Sequence, residues 1–176
     1  MDYTQYYQSP IGEITLSSDG ISLVGLWFLN QQHYGEILSG ETAEKNLPIF
    51  AETREWLDCY FVGEVPSFTP KISLRGSAFR RRVWERLLTI PYGATLTYGE
   101  IAKELTPADS ASTIAAQAVG NAVGHNPIAI IVPCHRVIGR DGSLKGYAGG
   151  LPRKQYLLAL EKNPSLPQKF TLDITL

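Results

Sequence analysis

The first sixty residues change rhythm once. TQYYQS, EITLSS and ISLVGLWFL are short β-rich runs separated by the turn residues SPIG and Asp19-Gly20, a pattern that predicts an antiparallel meander. In PIFAETREWLDCYFVG the apolar residues Ile49, Phe50, Trp56, Leu57, Tyr60 and Phe61 recur at near-helical spacing, with Pro48 at the start and Gly63 as C-cap, so a helix follows the meander. The stretch GEVPSFTPKISLRGS at 63–77 then has the texture of a linker.

Beyond it the pattern is helical with one β interruption. SAFRRRVWERLLTIPYG carries Phe79, Val83 and Leu87 at four-residue steps beside Trp84 and Leu88, and Pro91 ends the stripe. Arg80, Arg81 and Arg82 face mostly away from it and read as a solvated face, with phosphate contact the alternative. Thr97 and Glu100 form the T-x-x-E pattern of a capping box, opening a short helix through Ile101, Ala102 and Leu105. TPADSAS breaks that helix. TIAAQAVGNAVG predicts a second, starting at Ser112 or Thr113 and ending at Gly124-His125-Asn126-Pro127. Two short helices joined by a turn are compatible with a helix-turn-helix, although small residues in a helix also serve ordinary close packing. IAIIV reads as a short buried strand ended by Pro133, and VIGRDGSLKGY as a hairpin around Asp141-Gly142.

Composition narrows the class. The 176 residues are 44% hydrophobic and 19% charged, enough for one sizeable domain or two small ones. There is no long apolar run and no basic, apolar leader at the N-terminus, so neither a membrane span nor secretion is expected and the chain is placed in the cytoplasm. Sixteen Lys+Arg against seventeen Asp+Glu give a net charge of −1, so any nucleic-acid contact has to be local.

Two cysteines are too few for a disulfide framework. Cys59, in an apolar helix with no histidine nearby in sequence, reads as a small hydrophobe. Cys134 is different: it follows the apolar run and a proline, with His135 beside it. A thiol of ordinary pKa is only a few per cent thiolate at neutral pH, and an imidazole that takes its proton raises that fraction. Neighbouring side chains on a strand point to opposite faces, so a Cys134–His135 partnership needs an irregular backbone or a bridging water. Glu161, in the apolar helix LPRKQYLLALEK, is a candidate to orient the imidazole. The same trio would suit a cysteine hydrolase. His33 and His125 sit in polar loop contexts and read as surface histidines, and no Cys/His spacing suits zinc.

The string NPIAIIVPCHRVIGRDGSLKGYAGGLPRK, with YGEIA upstream and LLALE downstream, resembles the O6-alkylguanine-DNA alkyltransferases, the methylated-DNA–protein-cysteine methyltransferases. The resemblance is strong over 77–162 and looser over 1–70. It implies an RNase-H-like α/β domain with linker over 1–70, a mainly α DNA-binding and alkyl-acceptor domain with a helix-turn-helix over 77–165, and a tail at 166–176. It also implies a monomer that binds double-stranded DNA carrying O6-alkylguanine, flips the base from the minor groove, and accepts its alkyl group once, without cofactor or metal.

By the same resemblance Cys134 is the acceptor, and His135 is its base through a water. Glu161 holds the imidazole, Asn126 braces the helix end, and Tyr98 donates to the guanine O6. Val137, Tyr147 and Ala148 line the base pocket; Gln117, Thr97 and Ala116 contact DNA. Arg136 is expected to be a structural brace. Two departures from the family pattern stand out. Gln117 occupies the position where most members carry the arginine that fills the flipped base's gap, which predicts flipping with weaker electrostatic help, and the turn LTPADSAST is longer than usual. A non-catalytic lesion sensor would share the fold but lack the cysteine.

Overall fold

The structure, a computed structural model, describes residues 1–163; the expected tail at 166–176 lies outside them, as do 164 and 165. The predicted meander is present as β1 (Asp2–Ser9), β2 (Gly12–Ser18) and β3 (Leu23–Phe28). The pattern did not announce β4 (Thr42–Glu44), which pairs parallel to β1 and gives the sheet the order β3-β2-β1-β4. Its three residues are exposed or half-exposed, so no apolar alternation marks it. Helix α1 (Pro48–Phe61) packs on the sheet through Phe50, Leu57 and Tyr60. Gly63, at φ 85°, closes it by donating to the Tyr60 carbonyl at 2.9 Å, the left-handed position that favours glycine. Cys59 lies on its half-exposed side, and burial followed by the charges of Glu64 and Glu55 pushes its thiol pKa up, so nothing activates it.

Helix α2 (Ala78–Leu87) starts at Ser77, whose hydroxyl accepts from the Arg80 amide. Its buried stripe, Val83, Trp84 and Leu87, meets α3 (Tyr98–Leu105) and α4 (Ala116–Gly124). The Trp84 indole N–H donates to the Ala122 carbonyl at 2.8 Å, fixing α4 against α2. The capping box at α3 forms in both directions between Thr97 and Glu100, a device worth about 1 kcal/mol. Arg82 reaches the Leu105 carbonyl at 2.8 Å, a use within the fold. Helix α4 begins later than expected, at Ala116. Thr106 Oγ1 accepts the Ile114 amide at 2.9 Å, and Ala115 is extended at φ −73°, ψ 140°, so the segment before α4 is held out of the helix.

The larger correction concerns IAIIV. Only Ile128 makes a β-bridge, to Leu26; the chain then coils, with Ile130 at φ 67° and hydrogen bonds from Ile131 to Ala129 and Val132 to Ile128. All five residues are buried. An apolar run cannot by its period distinguish a buried strand from a buried turn, and a turn can be buried if its polar groups find partners. Asn126 supplies them: its amide donates to the Val132 carbonyl at 2.8 Å and to that of Ile128 at 3.3 Å, and its oxygen accepts the Ile128 N–H at 3.0 Å. The expected hairpin is likewise only a turn. Gly139 donates to Ser143 across Asp141-Gly142, but β6 (Val137–Ile138) pairs parallel with β5 (Leu96–Thr97) instead.

The two halves share a core. The free edge of β3 is covered twice, by Ile72 of the linker against Leu23 and by Ile128 against Leu26, which removes an edge open to foreign strands. Helix α5 (Leu151–Lys162) closes the fold and turns Lys154, Leu157, Leu160 and Glu161 inward.

Candidate active site

Cys134 opens a single 3₁₀ turn, Cys134–Arg136. This is the irregular backbone that a strand would have denied, and Cys134, His135 and Arg136 are all buried within it. Glu161 arrives from α5, Tyr60 from α1, and Gly93 from the turn after α2. Glu161 is the acceptor at the centre. It takes the His135 Nε2–H at 2.6 Å, the Tyr60 hydroxyl at 2.7 Å, the Gly93 amide at 3.0 Å, and two guanidinium bonds from Arg136, each at 2.9 Å. Arg136 also donates to the Ile90 carbonyl at 2.7 Å.

The protonation states follow from charge and burial. Burial alone opposes a charge on Glu161, but the hydrogen bonds from His135 and Arg136, together with the Arg136 charge, prevail and hold the carboxyl well below the ordinary range. With Glu161 and Arg136 already compensating each other, a proton on His135 would add an unmatched cation. Burial pushes the His135 pKa down, Arg136 and Lys154 push the same way, and the Glu161 bond only opposes them. The resting imidazole is therefore neutral. Because Glu161 can only accept, the ring hydrogen sits on Nε2. Nδ1 is then a bare acceptor, buried and without a hydrogen-bond partner among the described residues.

Burial also pushes the Cys134 thiol up, against the Asn126 amide, the Lys154 charge and nearby backbone N–H groups, which favour the thiolate. The resting sulfur is a thiol that must lose its proton to react. Lys154, fully buried, donates to the carbonyls of Val137 at 2.5 Å, Lys145 at 2.9 Å and Gly146 at 3.3 Å. Burial brings its own pKa down to about 8. It staples the 139–150 loop to β6 while leaving a positive charge near the sulfur.

A cleft of about 570 Å³ lies between α4, Tyr98, the 145–148 loop and Gln32, a size suited to a small ligand or a base; buried Cys134 does not line it but neighbours two residues that do, Tyr98 and Tyr147. Tyr98, Tyr147, Ala148, Ala116 and Gln117 all line it. Gly120 of α4 faces the Tyr98 ring, and an added Cβ would stand 3.7 Å from it, in ordinary contact. The Tyr98 hydroxyl donates to the Lys145 carbonyl at 2.8 Å, and burial pushes its pKa up to about 12. One expected pocket residue is placed differently: Val137 is fully buried, facing Lys154 through its carbonyl, and is not part of the cleft lining. Thr97, expected at the DNA, spends its hydroxyl on the capping box.

Family models match nearly the whole described chain: the 6-O-methylguanine DNA methyltransferase ribonuclease-like domain over 3–74 and the DNA binding domain of the same name over 78–163. This chain belongs to the 6-O-methylguanine DNA methyltransferase family. A Mycolicibacterium paratuberculosis protein named methylated-DNA–protein-cysteine methyltransferase is 51% identical over 164 residues, 93% of this chain and 94% of that one. A Methanosarcina acetivorans protein of the same name is 44% identical, over 90% of this chain and 97% of its own. The crystal structure of Mycobacterium tuberculosis OGT in complex with DNA superposes with a TM-score of 0.81 at 45% identity, covering 92% of this methyltransferase chain and 94% of that one.

Sequence reasoning brought together Cys134, His135, Glu161 and Asn126, and the structure sets all four around one turn. It missed Tyr60 and Lys154. Tyr60 belongs to the apolar stripe of α1 and Lys154 stands beside Arg153 in a helix start, so neither carried a signal that a single sequence displays.

Proposed function

We propose that this protein repairs DNA by moving the alkyl group of an O6-alkylguanine onto Cys134, in one stoichiometric event that consumes it. The supporting observation is the neutral His135, its Nδ1 left bare by the Nε2–Glu161 bond, next in the chain to a buried thiol that neighbours the cleft residues Tyr98 and Tyr147. The Cys134 proton passes through a water to Nδ1; the sulfur attacks the alkyl carbon; the C–O bond breaks; and the guanine leaves as an anion steadied by a hydrogen bond from Tyr98, then takes up the proton that His135 returns through water. A thioether remains, and nothing in the site offers a second nucleophile to remove it. Glu161 holds the imidazolium through Nε2 while it exists, and the Arg136 and Lys154 charges favour its giving the proton back. Tyr98 has to give up the Lys145 carbonyl to serve the base, so a flipped guanine replaces one acceptor with another.

Helix α4 presents Ala116 and Gln117 at the cleft rim, positions from which a minor-groove helix would meet the orphaned partner base. The Gln117 amide hydrogen-bonds that base without adding charge. Among the described residues no helix is long and apolar enough to cross a membrane; a monomer in the cytoplasm suits this reading.

Intact mass before and after incubation with a duplex bearing one O6-methylguanine tests it, with Cys134→Ser as control. The expected result is a gain of about 14 Da on Cys134 that stops at one equivalent and is absent from the control. DNA binding without a mass gain would point to a lesion sensor. Neither binding nor gain would revive the hydrolase reading.

A further inference from the structure

Three metal-ligating side chains, none of them used by the relay, meet at the rim of the cleft. His33 and Glu36 lie in the loop after β3, and His125 caps the C-terminal end of α4. His33 Nδ1 is 3.1 Å from Glu36 Oε2, His125 Nε2 is 3.7 Å from the same oxygen, and one donor atom from each of the three fits within 4.8 Å. Donors around a tetrahedral zinc ion stand about 3.3 Å apart, given bonds of about 2.0–2.1 Å, so small side-chain adjustments suffice.

A second observation concerns orientation. His125 Nδ1 is 2.8 Å from the Asn121 carbonyl, which can only accept; the hydrogen is therefore on Nδ1 and the Nε2 lone pair faces Glu36. A ring nitrogen tied to a backbone carbonyl while the other faces a carboxylate is the arrangement that orients metal-binding histidines. The two imidazoles stack with centroids 3.7 Å apart. Arg80 approaches only the other oxygen, Oε1, at 3.9 Å, leaving Oε2 to the histidines.

We propose that His33, Glu36 and His125 bind one divalent transition-metal ion of the zinc class, with a further coordination position open to solvent. Such an ion ties the loop to α4. Gln32, next to His33, lines the cleft and donates its N–H to the Ala148 carbonyl at 3.0 Å, and Gly124, next to His125, lines it as well. The site thus fastens the rim over which a base must pass. Spacing along the chain concealed it because the ligands come from opposite halves.

The test uses chelator-stripped protein titrated with zinc chloride against a chromophoric indicator, and with cobalt(II) for its absorption spectrum. We expect one equivalent bound, and at least about tenfold weaker binding in both His33→Asn and Glu36→Gln; asparagine tolerates the left-handed φ of 59° at position 33. Cobalt should show no thiolate charge-transfer band. Unchanged affinity in the two variants, no binding at all, or a thiolate band lost in Cys134→Ser would each overturn the proposal. The readout needs no DNA, so its failure leaves the repair reading standing.

Discussion

Tyr60 offers a sharp test of how the relay is held, because its hydroxyl crosses from α1 to the C-terminal half. The side chain is fully buried, donates to Glu161 Oε1 at 2.7 Å, and stacks on Trp56 with ring centroids 5.3 Å apart. Burial and the neighbouring Glu161 charge push its pKa well above the ordinary value, so it remains a donor at any working pH. Tyr60→Phe keeps the stacking and removes one hydrogen bond to a charged acceptor, a loss of about 1.5–3 kcal/mol. Glu161 retains His135, Arg136 and Gly93, which argues against the larger cost of an abandoned buried charge. At about 2–4 °C per kcal/mol for a chain of this size, Tm should fall by about 3–12 °C. Urea unfolding should give a lower midpoint with unchanged m. Since His135 keeps its Nε2 bond and its bare Nδ1, the single-turnover rate on O6-methylguanine DNA should fall by less than about tenfold, under about 1.4 kcal/mol of barrier. A stability change below about 0.5 kcal/mol would mean that the hydroxyl bond is not made. A rate loss of about a hundredfold in a folded variant would place Tyr60 in the chemistry itself, and either result would refute the reasoning.

Other expectations follow from the same geometry. The folded His135 pKa lies below the ordinary 6.5 and His135 acts as a neutral base, so the transfer rate should not fall as pH drops from 8 to about 6.5 and should decline only beneath that; single-turnover kinetics showing half-loss above 6.5 would contradict it. Stability has the same sign: with both pKa values depressed on folding, the unfolded chain takes up protons first as pH falls. Stability should be complete above about 6.5 and erode below it, through His135 first and then, below its ordinary 4.5, through Glu161, as urea midpoints across pH would reveal. Gly25→Ala puts a Cβ 1.9 Å from the Trp27 ring, which is 1% exposed, and should cost about 1–3 kcal/mol by overpacking, read as a lower Tm. Gln117→Arg should raise both affinity for lesion-bearing duplex and transfer rate, measured by titration and quench-flow; no change in either would show that position 117 does not serve the flipped base's gap.

Local chemistry made several elements legible in the chain alone. The meander, α1 with its glycine stop, and the Thr97–Glu100 box each depend on residues a few positions apart, and a period or a cap is complete within that distance. The segment around Cys134 was legible as chemistry but not as geometry. Its apolar run suggested a strand, whereas Asn126 satisfies the backbone of a buried turn and the 3₁₀ turn at Cys134–Arg136 follows.

What the sequence determined by itself was the set of reactive residue types and the short-range elements that carry them. Only tertiary structure decided which groups face each other: Tyr60 and Glu161 are 101 residues apart, and Arg136 and Ile90 are 46 apart. The protonation state of His135 was settled there too, because burial and the balance between Glu161 and Arg136 depend on everything packed around the ring and on no stretch of chain alone.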